Sequence, residues 1–152
     1  MKKHYIDVYN QEVLMFYTYK DFRRFLKKTG SELGEDTEEF LLTTRGCAGI
    51  LQNHAANTSQ LFLALDSENS TLEETVEILV HEGHHITRML LGLVGVETTP
   101  ENHEAETYLA QSIFRAFMQK FKVWDKFREQ GVQEYLKSVS TESDEDGSDE
   151  ES

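Results

Sequence analysis

The sequence predicts an α+β fold, in which a small antiparallel or mixed sheet packs on two long helices. Three observations support this prediction. Short runs of β-branched and aromatic residues are concentrated before residue 67, a helical period of apolar residues follows at 70–95, and a second one follows Pro100. A length of 152 residues favours one main domain with a single core.

The first half of the chain contains the predicted strands. The four strand-like runs are "YIDVYN" (5–10), "EVLMFYT" (12–18), "FLLTTRGCAGILQN" (40–53) and "SQLFLALD" (59–66). The first two are separated by one residue, so we expect a tight connection between them. A helix is predicted at 19–28 because Phe22, Phe25 and Leu26 share one face, and Gly30 ends it. The polar run "SELGEDTEE" (31–39) predicts a loop.

The strongest helical pattern is "SENSTLEETVEILVHEGHHITRMLLGLVG" (67–95). Ser70 or Thr71 can cap its N-terminus, and Gly92 and Gly95 predict its end. Its expected apolar stripe consists of Leu72, Val76, Leu79, Val80, Gly83, Ile86 and Leu90.

A second long helix is predicted after Pro100, continuing to about residue 130. Its apolar residues recur every three to four positions, at Ala105, Leu109, Ile113, Phe117, Phe121 and Trp124.

The charge of the chain is strongly negative and unevenly distributed. The formal net charge is -13, which argues against nucleic-acid or membrane partners that are bound through phosphate groups. The C-terminal run holds no basic residue and seven acidic ones: Glu142, Asp144, Glu145, Asp146, Asp149, Glu150 and Glu151. We therefore predict a folded domain at 1–138 and a disordered acidic tail at 139–152. This tail either solubilises the protein or engages a basic protein partner.

The remaining composition favours a cytoplasmic protein. Cys47 is the only cysteine, so an internal disulfide is excluded. The N-terminal "MKKHYIDVYNQ" lacks the apolar segment of a secretory signal, and no apolar run is long enough to span a membrane.

The motif that carries chemistry is H-E-x-x-H, formed by His81, Glu82 and His85. On a helix, residues four apart differ by about 40° around the axis, so both imidazoles can bind one Zn²⁺. Glu82 lies about 100° from His81 and can serve as the base for a metal-activated water. His84 is outside this register, and we expect it to support the site from outside the ligand set or to face solvent. The alternative is that all three histidines are surface residues without a metal.

A catalytic zinc needs a third protein ligand. The metzincin extension is absent, because Arg88 and Leu91 occupy its glycine and histidine positions. The second helix offers Glu104 beside its apolar stripe, whereas Glu101 and Glu106 are expected to be solvated. An ordinary exposed carboxylate is the alternative for Glu104. His103, Tyr108 and His54 are candidates for stabilising the oxyanion.

The pair "LVHEGHHI" and "HEAETYLA" resembles the active-site motifs of gluzincin-type zincin metallopeptidases. The resemblance covers Leu72 to Ala110 and is closest to ImmA/IrrE-type and small phage-encoded metallopeptidases. It implies a minimal zincin fold, with His81, His85 and Glu104 as zinc ligands and Glu82 as the catalytic base. Tyr108 matches the aromatic residue of the second motif. In that fold the strand before the active-site helix borders the cleft, and "QLFLALD" is the expected strand.

Two functions follow from this reading. The first is a zinc-dependent peptidase acting on a protein or peptide substrate, which the resemblance places in a phage or prophage, with action in the cytoplasm of its host. The alternative is a non-catalytic, zinc-stabilised acidic protein that binds or inhibits a basic partner. An ordinary helical domain without metal is a third possibility.

Overall fold

The computed structural model describes residues 1–31, 37–53, 57–101 and 103–145. The predicted α+β class is confirmed: a four-stranded mixed sheet is combined with five α-helices in the described residues. The chain divides into two compact units, Met1–Phe121 and Lys122–Ser152. In the part of the chain that the structure describes, no helix combines the length and apolar character needed to cross a membrane.

The first unit contains the sheet and four helices. They follow in the order β1 (Lys2–Ile6), β2 (Gln11–Phe16), α1 (Tyr19–Thr29), α2 (Thr37–Thr43), β3 (Gly46–Asn53), β4 (Thr58–Leu65), α3 (Leu72–Leu93) and α4 (His103–Lys120). A 3-10 turn at Asp7–Tyr9 joins β1 and β2, and Asn10 completes it in the left-handed conformation, with φ 51°. The connection is tight, as expected, but the predicted first strand at 5–10 was misplaced: β1 ends at Ile6, and residues 7–10 form the turn.

The strands are arranged in the order β1-β2-β4-β3. β2 and β4 run parallel, whereas β1 pairs antiparallel with β2 and β3 pairs antiparallel with β4. The expectation that "QLFLALD" forms the edge of the cleft, as a strand open to an added peptide, is wrong, because β4 is an inner strand with β2 and β3 on its two sides. The edge strand next to β4 is β3. In the chain, β3 comes before β4, and β4 comes directly before α3.

The sheet is covered by helices on both faces. Alternate residues of β2 and β4, including Leu14, Phe16 and Phe62, form a buried cluster with Phe22 and Leu26 of α1. Residues of opposite parity on the same strands are also buried, and they point to the other face. Helix α3 packs on that side, against β3 and β4, and contacts α4.

The predicted start of the third strand and the predicted end of the loop before it were wrong. The run Phe40–Thr43, predicted as the start of a strand, belongs to helix α2, as does the end of the predicted 31–39 loop. Leu41 is buried while Leu42 is 78% exposed, so one side of a single helical turn faces the core. Such a short apolar run does not distinguish a strand from a helix. Residues 32–36 of the predicted loop lie outside the described residues.

The predicted second long helix is two helices. α4 ends at Lys120, and Lys122 adopts φ 53°, which an α-helix cannot accommodate. The second unit contains α5, Val123–Glu145. The apolar side chains of Val132, Tyr135 and Leu136 on this helix are exposed. α5 includes residues 139–145 of the predicted acidic tail, and residues 146–152 lie outside the described range.

Candidate metal and peptidase site

Helix α3 carries the histidine motif, and local interactions fix where this helix begins. Thr71 accepts a hydrogen bond from the Glu74 amide at 3.1 Å, and the Glu74 carboxylate accepts one from the Thr71 amide at 2.7 Å. This capping box confirms Thr71 as the cap and typically contributes about 1 kcal/mol. The buried residues Leu79, Gly83, Ile86 and Leu90 then follow the predicted stripe. Val80, predicted in the same stripe, is instead 58% exposed.

The two motif histidines converge. The Nε2 atoms of His81 and His85 lie 3.1 Å apart, and their rings meet edge to face at 82°. Two nitrogens bound to one tetrahedral zinc at 2.0–2.1 Å are separated by about 3.3 Å. The pair therefore fits two positions of a zinc site with little movement. Both side chains are exposed, so a metal could reach them from solvent.

The side chain of Glu82, on the histidine helix, packs against the start of the edge strand β3. It is half-buried, and burial raises the pKa of its carboxyl above the ordinary value, while His81 and His85 act in the opposite direction. A Cβ atom on Gly46 would approach the Glu82 Cγ to 2.9 Å and the Ile78 Cγ2 to 2.2 Å. The first residue of β3 is thus in direct contact with the proposed base.

Sequence reasoning missed Gly46. The available indication was a glycine at the start of a predicted strand. Such a glycine often marks a place where another helix or strand comes close to the backbone. The adjacent Cys47 is buried, and burial raises the pKa of its thiol to about 12, so it is a packing residue and not a nucleophile. Gly46 is therefore the part of β3 that shapes the site.

The expectation that Glu106 is solvated was wrong. Its side chain is only 14% exposed, and its Oε1 lies 3.4 Å from Arg88 Nη1 and 3.6 Å from His84 Nδ1. Glu106 is in the first turns of α4, and both partners are on α3. This contact, called the Glu106 cluster below, joins the start of α4 to the histidine helix. It also holds His84, itself largely exposed, beside the histidine pair.

The other candidates on α4 are exposed. Glu104 lies in the first turn of α4, two residues before Glu106. His103 is exposed and its Nδ1 donates to the Pro100 carbonyl at 2.7 Å, while Tyr108 is 66% exposed. Glu101 is exposed, as expected. His54 lies outside the described residues.

Within the ranges described, no three His, Cys, Asp or Glu side chains are assembled as a metal-binding group. The structure brings together His81 and His85, and it joins the start of α4 to α3 through the contacts of Glu106 with Arg88 and His84. It leaves the predicted third ligand, Glu104, outside the histidine pair. Comparison with models of known families, with curated proteins and with solved structures finds no match to this chain.

Proposed function

We propose that the protein is a zinc-dependent peptidase. The observation that carries this proposal is the convergence of two imidazole nitrogens, 3.1 Å apart, beside a half-buried carboxylate. His81 and His85 would hold the metal, and Glu104 would supply the third ligand by turning its exposed side chain towards the pair. We place the protein in the cytoplasm, where the one buried thiol, Cys47, stays reduced.

Zinc would polarise the peptide carbonyl and lower the pKa of a bound water. Glu82 accepts the proton of the attacking water and returns it to the departing amine. Its carboxyl group follows His81 directly in the chain and is half-buried against β3, next to the side chains that would hold the metal.

The substrate would bind along β3. This strand lies at an edge of the sheet, so its outer backbone groups can pair with an extended peptide. Gly46 brings the start of β3 against Glu82, so a peptide on this edge passes the proposed base. An extended segment of a protein is therefore the favoured substrate.

The test of this proposal is Glu82→Gln, compared with the parent for zinc content and for cleavage of a mixed fluorogenic peptide library. Glutamine keeps the shape of the Glu82 side chain but removes the carboxylate that accepts the proton. Zinc should therefore be retained while cleavage falls by about 10²- to 10⁴-fold. Equal cleavage by parent and variant would exclude Glu82 as the base.

The second candidate is a zinc-stabilised acidic protein that binds a basic partner. The high negative charge favours it, as does the convergence of only two candidate metal-binding side chains among the residues that the structure describes. It predicts that Glu82→Gln retains both zinc and partner binding, with no cleavage by either protein.

A further inference from the structure

Helix α5 is exposed on all sides over much of its described length. Every residue from Arg128 to Lys137 is exposed, so within the described chain all sides of these turns face solvent. Most helices in proteins gain their stability from the packing of one apolar face. Gly131 lies within these turns and is a poor helix former, which adds to the cost. We therefore expect a partner to cover one side of α5.

Three apolar side chains lie on one side of these turns. Val132, Tyr135 and Leu136 are 55%, 66% and 54% exposed. Their spacing of three and four residues places them within about 100° around the helix axis, and we call them the α5 apolar face. This is the spacing with which one helix packs on another. The opposite side is polar, since Gln130 Nε2 donates a hydrogen bond to Glu134 Oε1 at 3.0 Å.

The charges of α5 are divided between its two ends. Around its start, the segment 122–128 has three basic residues and one acidic residue: Lys122, Lys126, Arg128 and Asp125. At its end, the segment 142–145 has three acidic residues and no basic one: Glu142, Asp144 and Glu145. This order is unfavourable in a single helix, because the helix dipole favours acidic residues at the N-terminus and basic ones at the C-terminus. In an antiparallel pair of such helices, each basic end lies beside an acidic end.

We infer that two copies of the protein associate through the α5 apolar face, with their α5 helices antiparallel. Such a pair has twofold symmetry, so the same face serves both copies. The inference does not depend on the metal or on peptidase activity.

The apolar face and the charged ends require the same alignment of the two helices. Lys122 lies ten residues before Val132 in the chain. Glu145 lies ten residues after Tyr135. Antiparallel helices that align Val132 with Tyr135 of the second copy therefore bring the two charged positions together as well. A parallel pair would instead place like charges side by side.

Sedimentation equilibrium of the full chain measures this association. The interface is small, so we expect a weak dimer, with a Kd of about 10 µM to 1 mM. Val132→Ala combined with Leu136→Ala removes most of the apolar face and should raise the Kd by about 10-fold or more. Alanine favours the helix, so unfolding of α5 would not explain this loss. The control combines Gln130→Ala with Glu134→Ala on the opposite side of α5, and it should leave the Kd unchanged.

An exchange of charges tests the antiparallel orientation. Lys122→Glu places like charges together twice in the dimer and should weaken it by about 3- to 10-fold. Adding Glu145→Lys restores opposite charges and should recover the affinity of the parent. Lys28→Glu makes the same change of charge at an exposed position of α1 and should have no such effect.

Two sets of results would overturn the inference. A parent that stays monomeric at every concentration up to about 1 mM would exclude the dimer and leave the α5 apolar face to a different protein. A dimer that the two alanine pairs affect equally would be formed through another surface. Weakening by Lys122→Glu that Glu145→Lys does not relieve, or that Lys28→Glu reproduces, would exclude the antiparallel pairing.

Discussion

Gly46 brings β3 into contact with the histidine helix, and no larger residue fits this position. A Cβ would lie 2.2 Å from Ile78 Cγ2 and 2.9 Å from Glu82 Cγ. We predict that Gly46→Ala destabilises the protein by about 1–3 kcal/mol, the usual range for overpacking. Urea denaturation of the metal-free protein measures this change.

Gly92→Ala is the matched control. Gly92 lies in the last turn of α3, and an added Cβ would meet no atom within 4 Å. Alanine is the better helix former, so this variant should be as stable as the parent or more stable, by up to about 1 kcal/mol. Similar losses in both variants would show that Gly46 is not specially constrained.

Glu12 gives the fold a testable dependence on pH. The hydrogen bond from Lys3 Nζ, at 2.8 Å, lowers the pKa of this carboxyl below its ordinary value, and partial burial opposes it. A carboxyl with a lowered folded pKa stabilises the protein above its unfolded pKa, and this contribution is lost as the pH falls through the folded value. Since the pair is near the surface, we expect only a few tenths of a kcal/mol, up to about 1 kcal/mol.

The measurement compares the unfolding free energies of the parent and Glu12→Gln. The parent should be the more stable protein near about pH 7, and the difference should disappear near about pH 2, where the carboxyl is protonated. High salt should reduce the difference at neutral pH. A difference that is the same at both pH values would rule out the charge of Glu12 as its source.

At the scale of the element, the start of α4 depends on the Glu106 cluster. Glu106 contacts both Arg88 and His84, and it lies two residues after the proposed ligand Glu104. Because supporting contacts orient metal ligands, we predict that Glu106→Ala weakens zinc binding by about 10-fold or more. Competition with a chromophoric chelator measures this affinity.

Glu101→Ala is the control, because it removes an equal charge from an exposed position just before α4. Its zinc affinity should match that of the parent. If both variants lose affinity equally, the effect comes from the overall charge and not from the position of α4.

Elements that depend on local interactions were predicted well from the sequence. The capping residues at Thr71 and the apolar period of α3 are close together in the chain, so their pattern is visible in it. The break between α4 and α5 was missed because the residue in the left-handed conformation there is Lys122. A glycine at this position is the usual sign in a sequence that a helix ends. The α2 helix was missed because the Phe40–Thr43 run is too short to show a period.

At the scale of the whole molecule, the order of the strands decides which parts can form a site. The sequence shows that β4 precedes α3, but it does not show that β3 pairs with β4 and forms the edge of the sheet. Pairing between distant segments depends on the complete sheet and leaves no local signal. For the same reason, the sequence identified the histidine pair within one helix but not the contact of Glu82 with Gly46, or that of Glu106 with Arg88.

The central claim is that His81 and His85 form a zinc site. The most direct test is elemental analysis of the purified protein after zinc loading and removal of excess metal, beside His85→Ala and His84→Ala. We predict about one zinc per chain in the parent and in His84→Ala, and loss of zinc in His85→Ala. The reason is that His85 converges with His81, whereas His84 is not part of this pair. Absence of zinc from the parent, or equal zinc in all three proteins, would contradict the claim.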